Sequence, residues 1–228
     1  MERVKIVRIP LLLANSYLLI GERASIIVDT GDPGHSRKIL KAMAANDVTP
    51  DMVSLIHITH GHVDHFGSVY ELKKTIDAPV AIHNSDLAYL INGIQAPLYP
   101  TNQLARFLKA VGQNFMVKQR YGFKPEIILG EEMDLSTFGM QGNIIATPGH
   151  TLGSSSLILE DGQAFTGDLL VHERFLRGRP VKPPFMHDLA RHKESMRKIA
   201  ASGVKVIYPG HGSPMRMDQM SGLASKLG

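Results

Sequence analysis

A short run of metal-type ligands constrains the fold of this chain more than any other feature. Residues 59–65 read THGHVDH, which places three histidines and one aspartate within six consecutive positions. Neutral imidazole and carboxylate groups are the side chains that offer lone pairs to a metal without sulfur. The apolar run LIHI directly before it predicts a strand, so His60 and His62 can project to the same side. A helix is predicted to begin near Asp64, so Asp64 and His65 point in different directions, which a second metal can use.

The same arrangement recurs further along the chain. Five short apolar segments each lead into a histidine or a carboxylate at the C-terminal end, namely Asp29, His60, His150, Asp168 and His211. In a sheet, such residues gather along one edge, where loops face the solvent and a ligand can enter. A glycine lies close to each of them and permits tight turns and close backbone approach. The sequence therefore predicts one site that is built from five segments.

Apolar periodicity predicts alternating strands and helices. Strands are predicted near 3–9, 16–20, 24–29, 55–58 and 78–82, in a set between 126 and 168, and near 204–208. Helices are predicted near 35–46, from about residue 64, and near 187–202. The turn Glu160-Asp161-Gly162 indicates a hairpin within the second set of strands. We expect a terminal helix to begin after Pro214.

Five motifs in this pattern resemble those of the metallo-β-lactamase superfamily. They are VDTG at 28–31, the H-x-H-x-D-H run, PGHT at 148–151, TGD at 166–168 and PGHG at 209–212. The resemblance extends from about residue 4 to residue 215, and all five motifs are intact. It implies an α/β (α+β) fold, the four-layer αββα sandwich of that superfamily, as a single domain over residues 1–228.

The resemblance also implies a role for each residue of the site. Two divalent ions are held by three ligands each: His60, His62 and His150 for the first, and Asp64, His65 and His211 for the second. Asp168 bridges the two ions. Asp29 supports the ligands from outside the coordination sphere, where such partners orient imidazoles. Zinc is the preferred ion for nitrogen and oxygen ligands of this kind, and iron or manganese fit them nearly as well.

Two divalent ions predict a hydrolase. A metal lowers the pKa of bound water from about 15.7 toward roughly 7, so that hydroxide forms at neutral pH. A hydroxide that bridges the ions would attack a carbonyl carbon, while the catalytic carboxylates Asp64 and Asp168 balance charge and orient it. The expected substrate is a small ester, thioester, lactone or amide, with ester-type bonds favoured. The alternative is a persulfide dioxygenase, which has this fold but uses a single iron in the first site.

The motifs are similar to those of glyoxalase II, including the PGHT sequence. Glyoxalase II carries a C-terminal helical region for the glutathione part of its substrate, whereas 17 residues follow His211 in this chain. Acyl-homoserine-lactone lactonases place a tyrosine shortly after the bridging aspartate, where this chain has Leu169-Leu170-Val171. The sequence therefore predicts the reaction class and leaves the substrate open.

Two segments outside the motifs are candidates for contact with a substrate. Residues 84–125 predict a helical insertion of two helices, which either forms a lid over the site or packs onto the body as ordinary core. The loop after Asp168 is basic and contains His172 and Arg174. These two residues either contact an anionic group of a substrate or belong to a solvated surface.

Composition limits the classes of partner. The chain has no cysteine, so every ligand must offer nitrogen or oxygen and no disulfide framework exists. A net charge of +4 without a long basic run gives no indication of nucleic acid. Neither a signal sequence nor a membrane span is evident, so we expect a cytoplasmic enzyme that acts on a small molecule. The sequence gives no signal for the oligomeric state.

Overall fold

Two six-stranded β-sheets form the body of the protein, whose computed structural model describes residues 4–112, 122–172, 180–181 and 183–220. The first sheet contains six strands in chain order: β1 (Lys5–Pro10), β2 (Asn15–Ile20), β3 (Ser25–Val28), β4 (Val53–His57), β5 (Val80–His83) and β6 (Ile127–Leu129). Strands β1 to β3 are antiparallel, and β3 to β6 run parallel to one another.

The second sheet has the order β14-β13-β10-β9-β8-β7. Its strands are β7 (Glu132–Asp134), β8 (Gly142–Ala146), β9 (Ser155–Leu159), β10 (Gln163–Gly167), β13 (Val206–Pro209) and β14 (Met215–Arg216). Neighbouring strands are antiparallel, except that β10 and β13 are parallel. A separate two-stranded ribbon consists of β11 (Val171–His172) and β12 (Pro180–Val181).

In the part of the chain that the structure describes, six α-helices accompany the sheets. They are α1 (Ser36–Ala44), α2 (Val63–Phe66), α3 (Val69–Leu72), α4 (Leu87–Asn92), α5 (Gln103–Gly112) and α6 (Leu189–Ala201). Helices α4 and α5 confirm the predicted helical insertion, of which residues 113–121 lie outside the described residues. Within the described residues, every helix lacks the length and apolar character needed to cross a membrane.

Alternating side chains of the first sheet face two different cores. In β2, Leu18 packs in a cluster with Ile39 and Met43 of α1, on the outer side of the sheet. The neighbouring Tyr17 and Leu19 belong to a second cluster, which lies between the two sheets. Because successive side chains of a strand point to opposite faces, one strand can serve both cores.

The second sheet completes the layered arrangement. Leu157 and Phe165 pack in the cluster between the sheets, together with residues of β2 and β3. On the outer side, Ile207 lies in a third cluster with Met196 and Ile199 of α6. The order is therefore helices, sheet, sheet, helix, which confirms the predicted four-layer αββα sandwich.

Parallel strand pairs bring the motif loops to one edge. Asp29 follows β3, and its backbone N–H donates to the His57 carbonyl at the end of the parallel neighbour β4. In the second sheet, the Gly210 N–H donates to the Gly167 carbonyl, which joins the loops that follow β13 and β10. The carboxyl ends of parallel strands meet at the same edge, so both sheets contribute residues to one place.

Two predicted helices have different bounds in the structure. The expected terminal helix after Pro214 is wrong at its start, because Met215 is buried and pairs with Ile207 as part of β14. A 3-10 turn, Met217–Met220, follows, and residues 221–228 lie outside the described residues. The helix predicted from residue 64 is divided into α2 and α3 at Gly67, where a Cβ would lie 2.6 Å from the Pro33 nitrogen.

Candidate metal centre

All seven predicted ligands converge at the carboxyl ends of β4, β8, β10 and β13. Their ligand atoms form three overlapping groups, and within each group the atoms lie within 4.8 Å of one another: His60, His62 and His150; His60, His65 and Asp168; and Asp64, His65 and His211. His60, His62 and His150 are called the first group below. Asp64, His65 and His211 are called the second group.

The first group consists of three imidazoles that face one point. His62 Nδ1 lies 3.0 Å from His60 Nε2 and 2.9 Å from His150 Nε2. Nitrogen ligands of one tetrahedral zinc ion are roughly 3.3 Å apart for metal–nitrogen bonds of about 2.0 Å. The spacing of these three nitrogens is therefore close to that of a metal site.

Hydrogen bonds on the far sides of two rings fix their tautomers. His150 Nδ1 donates to the Phe185 carbonyl at 2.8 Å. Thr59 Oγ1 donates to Asp29 and therefore accepts from His60 Nδ1, at 3.0 Å. A proton on Nδ1 leaves the Nε2 lone pair free, so His60 and His150 both present acceptors to His62. Lone pairs that converge in this way are stabilised by a cation between them.

Burial keeps the first group neutral. His60, His62 and His150 are all buried. Desolvation, together with neighbouring imidazoles, holds the pKa of His60 and His62 well below the ordinary value. Desolvation also lowers the pKa of His150. Because only neutral imidazole ligates a metal, these side chains are in the form that binding requires.

The second group has a different chemical character. His65 Nε2 and His211 Nε2 are 3.4 Å apart, and Asp64 Oδ2 lies 3.4 Å from His211 Nε2 and 3.8 Å from His65 Nε2. His65 is buried, whereas the side chains of Asp64 and His211 are 17% and 29% exposed. The Nδ1 atom of His211 donates to the Leu13 carbonyl at 2.9 Å, which directs Nε2 to the centre.

Asp29 supports the second group from behind. Its Oδ2 accepts from His65 Nδ1 at 2.8 Å, and the same carboxylate accepts from the N–H and the hydroxyl of Thr59. Asp29 has a φ of 58°, a left-handed conformation that is uncommon outside glycine and is held here by these bonds.

Carboxylates set the charge of the second group. Burial acts to lower the pKa of His65, but Asp29, Asp64 and Asp168 outweigh it and raise the pKa to about 10. Burial is likewise outweighed at His211, where Asp168 and Asp64 raise the pKa to about 9. The negative potential of these carboxylates favours a bound positive charge. Protons on the two histidines can supply that charge, and so can a divalent cation.

Asp168 lies between the two groups. Its Oδ2 is 3.6 Å from His150 Nε2 and 3.2 Å from His211 Nε2, and its Oδ1 is 3.5 Å from His65 Nε2. Burial alone would raise its pKa, but His211 and His65 outweigh burial and hold the pKa well below the usual range. Oδ1 is buried without a hydrogen-bond partner among the described residues, so it has a free lone pair. The residues of the centre therefore fit divalent metal binding, with Asp168 in reach of both groups.

Several contacts of the centre have no signal in the sequence. The carbonyls of Phe185 and Leu13 accept from ligand histidines, and any residue type offers a carbonyl. The two predicted substrate contacts stay predictions. Only the backbone of His172, in β11, is described. Arg174 lies outside the described residues.

The helical insertion packs against the loop of the first group. Gln95 Oε1 accepts from the Val63 N–H at 2.9 Å, and the Ala96 N–H donates to the Gly61 carbonyl at 3.0 Å. Further along, the Met186 N–H donates to the Tyr99 carbonyl. Residues 95–99 of the insertion therefore hydrogen-bond both to the loop of the first group and to the segment next to Phe185.

Comparison with known proteins identifies the family. The family model for the metallo-beta-lactamase superfamily matches residues 9–211, so the chain belongs to this superfamily. A probable metallo-hydrolase of Methanocaldococcus jannaschii is 30% identical over 209 residues, which cover 87% of each protein. A probable metallo-hydrolase of Bacillus subtilis is 25% identical over 203 residues, 83% of this chain and 76% of that protein. The chain is a metal-dependent hydrolase.

Solved structures show the same fold. The B3 metallo-beta-lactamase BLEG-1 superposes with a TM-score of 0.73 at 22% identity, and the match covers 98% of this chain and 99% of that one. A protein solved in a di-iron-bound form superposes with a TM-score of 0.66 at 24% identity, over 95% of this chain and 96% of that one. Both likenesses confirm the fold class that the motifs predict.

Proposed function

We propose that this protein is a dinuclear hydrolase that uses two divalent ions, with zinc as the first candidate, to cleave a small ester, thioester, lactone or amide. One observation carries the proposal: the Asp168 carboxylate lies within 3.6 Å of ligand nitrogens from both groups. A carboxylate in this place can serve two ions at once. A single buried ion would not need the second group.

The chain's own residues would hold and balance the reacting centre. The bound ions supply Lewis acidity, which lowers the pKa of a water and polarises a carbonyl. Asp168 contributes fixed negative charge, since its low pKa keeps it ionised. Asp29 and the Phe185 and Leu13 carbonyls hold the rings of three histidines, so little reorganisation is needed when charge develops on the substrate.

Asp64 is the candidate for handling a proton. Its side chain is partly exposed, whereas Asp168 and Asp29 are buried. It lies on the open side of the centre, beside His211, at 3.4 Å. A partly solvated carboxylate at the rim can orient the attacking water and pass its proton to solvent or to the leaving group.

An iron-dependent dioxygenase that acts on persulfides is the second candidate. The observation in its favour is that the first group is complete by itself, with three buried histidines around one point. The di-iron form of a structural relative also supports iron as an alternative metal in the dinuclear enzyme. We rank the dioxygenase second because it leaves Asp64, His65 and His211 without a role.

Metal content and oxygen dependence test the proposal together. The full chain is purified without added metal, its ions are counted by mass spectrometry, and it is assayed anaerobically with activated esters and thioesters. We expect two ions per chain, cleavage without oxygen, loss of activity on chelation, and recovery on adding zinc or manganese. Asp134→Asn serves as a control variant that should keep both metal content and activity. Its carboxylate is exposed and, among the described residues, accepts only from the N–H and hydroxyl of Ser136.

The opposite result would reverse the ranking. One iron per chain, oxygen consumption with glutathione persulfide and no anaerobic cleavage would contradict a hydrolase with two ions. The same proposal includes a single domain over residues 1–228, a cytoplasmic location and a small-molecule substrate. Fractionation of cells that express the tagged full chain would test its location.

A further inference from the structure

A buried carboxylate outside the five motifs bonds to the loops of the first group. Asp86, which precedes α4, is 1% exposed. Its Oδ2 accepts from the Gly61 N–H at 2.7 Å and from the Thr151 hydroxyl at 2.6 Å. Its Oδ1 accepts from the Gly153 N–H at 3.0 Å. All three donors are uncharged, so the carboxylate is held by hydrogen bonds to loops.

Two of the three donors stand directly beside ligands. Gly61 lies between His60 and His62, and Thr151 follows His150. One carboxylate therefore joins the two loops that carry the whole first group. Among the described residues, the hydrogen bonds of Asp86 do not reach Asp64, His65 or His211.

The two glycines permit this close approach. A Cβ at Gly153 would lie 2.5 Å from Asp86 Cγ, and a Cβ at Gly61 would lie 2.8 Å from Tyr89 Cδ2 and 3.2 Å from Asp86 Oδ2. A side chain at either position would displace the carboxylate. The backbone N–H groups can reach Asp86 because both residues are glycine.

We propose that Asp86 is a positioning residue that fixes His60, His62 and His150 around the first ion and leaves the second ion largely unaffected. This inference rests on the proposed function, because it takes the two groups to be separate ion sites. Hydrogen bonds to a carboxylate are stronger than those between neutral groups, and three of them are made to one side chain. Partners that orient ligands in this way typically change metal affinity about 10–100-fold.

Single-site variants separate the two ions. His211→Ala retains the complete first group, and His150→Ala retains the complete second group. Asp86→Asn is introduced into each, and zinc is titrated in competition with a chromogenic chelator. We expect zinc to bind about 10–100-fold more weakly in the His211→Ala background and to change less than about threefold in the His150→Ala background. Asp134→Asn, the control on an exposed carboxylate, should change neither affinity.

A second variant and a second measurement keep the test decisive. Thr151→Val removes one donor and preserves the shape of the side chain, so it should weaken the first ion less than Asp86→Asn does. In the full chain without metal, Asp86→Asn should also speed hydrogen exchange at the Gly61 and Gly153 amides, because it weakens their acceptor.

The outcomes distinguish this inference from the proposed function. Equal weakening of both ions would make Asp86 a general packing residue, and unchanged exchange at Gly61 and Gly153 would remove the positioning role altogether. If neither single-site background binds one ion, the dinuclear proposal fails instead. The amide exchange measurement still decides whether Asp86 holds the two loops.

Discussion

The first and second ligand groups lie side by side but are built from different chemistry. The first consists of three buried histidines, and burial lowers the pKa of each. The second combines buried His65 with the partly exposed Asp64 and His211, and carboxylates raise the pKa of both histidines. Burial keeps the imidazoles of the first group neutral, so that they can offer lone pairs to a metal. The carboxylates of the second group attract cations through their negative charge.

This difference indicates what metal binding at each group would depend on. The first group should depend on packing and on the hydrogen bonds that fix its rings, because it holds no charge of its own. The second group should depend on its carboxylates, since they supply the negative potential. Asp168 belongs to both, because it lies within 3.6 Å of His150 and within 3.2 Å of His211.

Removing one ligand from each group should have the largest effect. His150→Ala and His211→Ala should each lose about one ion and keep the other, because each group supplies three ligands of its own. Metal analysis after dialysis against a weak chelator measures this. If either variant retained both ions, the division of the ligands into two sites would be wrong.

Asp168→Asn should have the next largest effect. It preserves shape but removes the charge that both ions share, so we expect kcat to fall by roughly two orders of magnitude or more, with a smaller change in KM. Steady-state kinetics on an ester substrate, with metal content measured alongside, test this expectation. Activity equal to that of the wild type would contradict a bridging role and the dinuclear mechanism.

Asp29→Asn should show the reverse pattern from Asp86→Asn. Asp29 accepts from His65 Nδ1, so its loss should weaken the second ion by about 10–100-fold and the first ion less. Asp29→Asn is introduced into the His211→Ala and His150→Ala backgrounds, and each protein is titrated with zinc. The first background reports the affinity of the first group, and the second reports that of the second group. Asp134→Asn again serves as the control. A larger loss at the first group would show that Thr59, rather than His65, transmits the effect.

The smallest expected effect concerns His57, a buried histidine outside the two ligand groups, and it is a change of stability with pH. Burial lowers the pKa of His57 from its ordinary 6.5 to about 4, and its Nε2 bonds to Ser155 Oγ at 2.9 Å. Between these pH values the unfolded chain binds a proton that the folded chain excludes. The stability of the wild type should therefore fall as the pH falls from about 6.5 to about 4. His57 should account for up to roughly 1.4 kcal/mol of that fall per pH unit, and above about pH 6.5 it should cause no change of stability with pH.

His57→Gln provides the comparison, since glutamine does not titrate and can still bond to Ser155. Chemical denaturation of both proteins from pH 7 to pH 4.5 should give a shallower loss of stability in the variant. The metal ligands titrate in both proteins, so the difference between the two curves isolates His57. Parallel curves would mean that His57 is protonated as readily in the folded state as in the unfolded state.

The sequence predicted which side chains gather at one edge of the sheets, because each motif is local. A strand, a glycine and a histidine or carboxylate lie within a few residues, and parallel strands then bring their ends together. The terminal element was harder to predict. Met215 was expected at the start of a helix, but a buried place beside Ile207 makes it part of a strand. Tertiary pairing of this kind is not visible in a local pattern.

Partners of the ligands were the least predictable part. The carbonyls of Leu13 and Phe185 accept from His211 and His150, and these pairs are separated by 198 and 35 positions. Asp86 had a faint signal, because it is a carboxylate shortly after a buried strand. The pattern from Asp86 to Ile91 predicts a helix of the insertion, and Asp86 lies three positions after the end of β5.

The parallel pairing of β10 with β13 also bears on the order in which the centre is assembled. His211 lies 61 residues after His150, so a chain under synthesis contains the whole first group well before the second is complete. The second group needs β13, which reaches β10 only after the chain has crossed over through α6. Metal uptake during synthesis should therefore have two stages, with the imidazole-only site ready first.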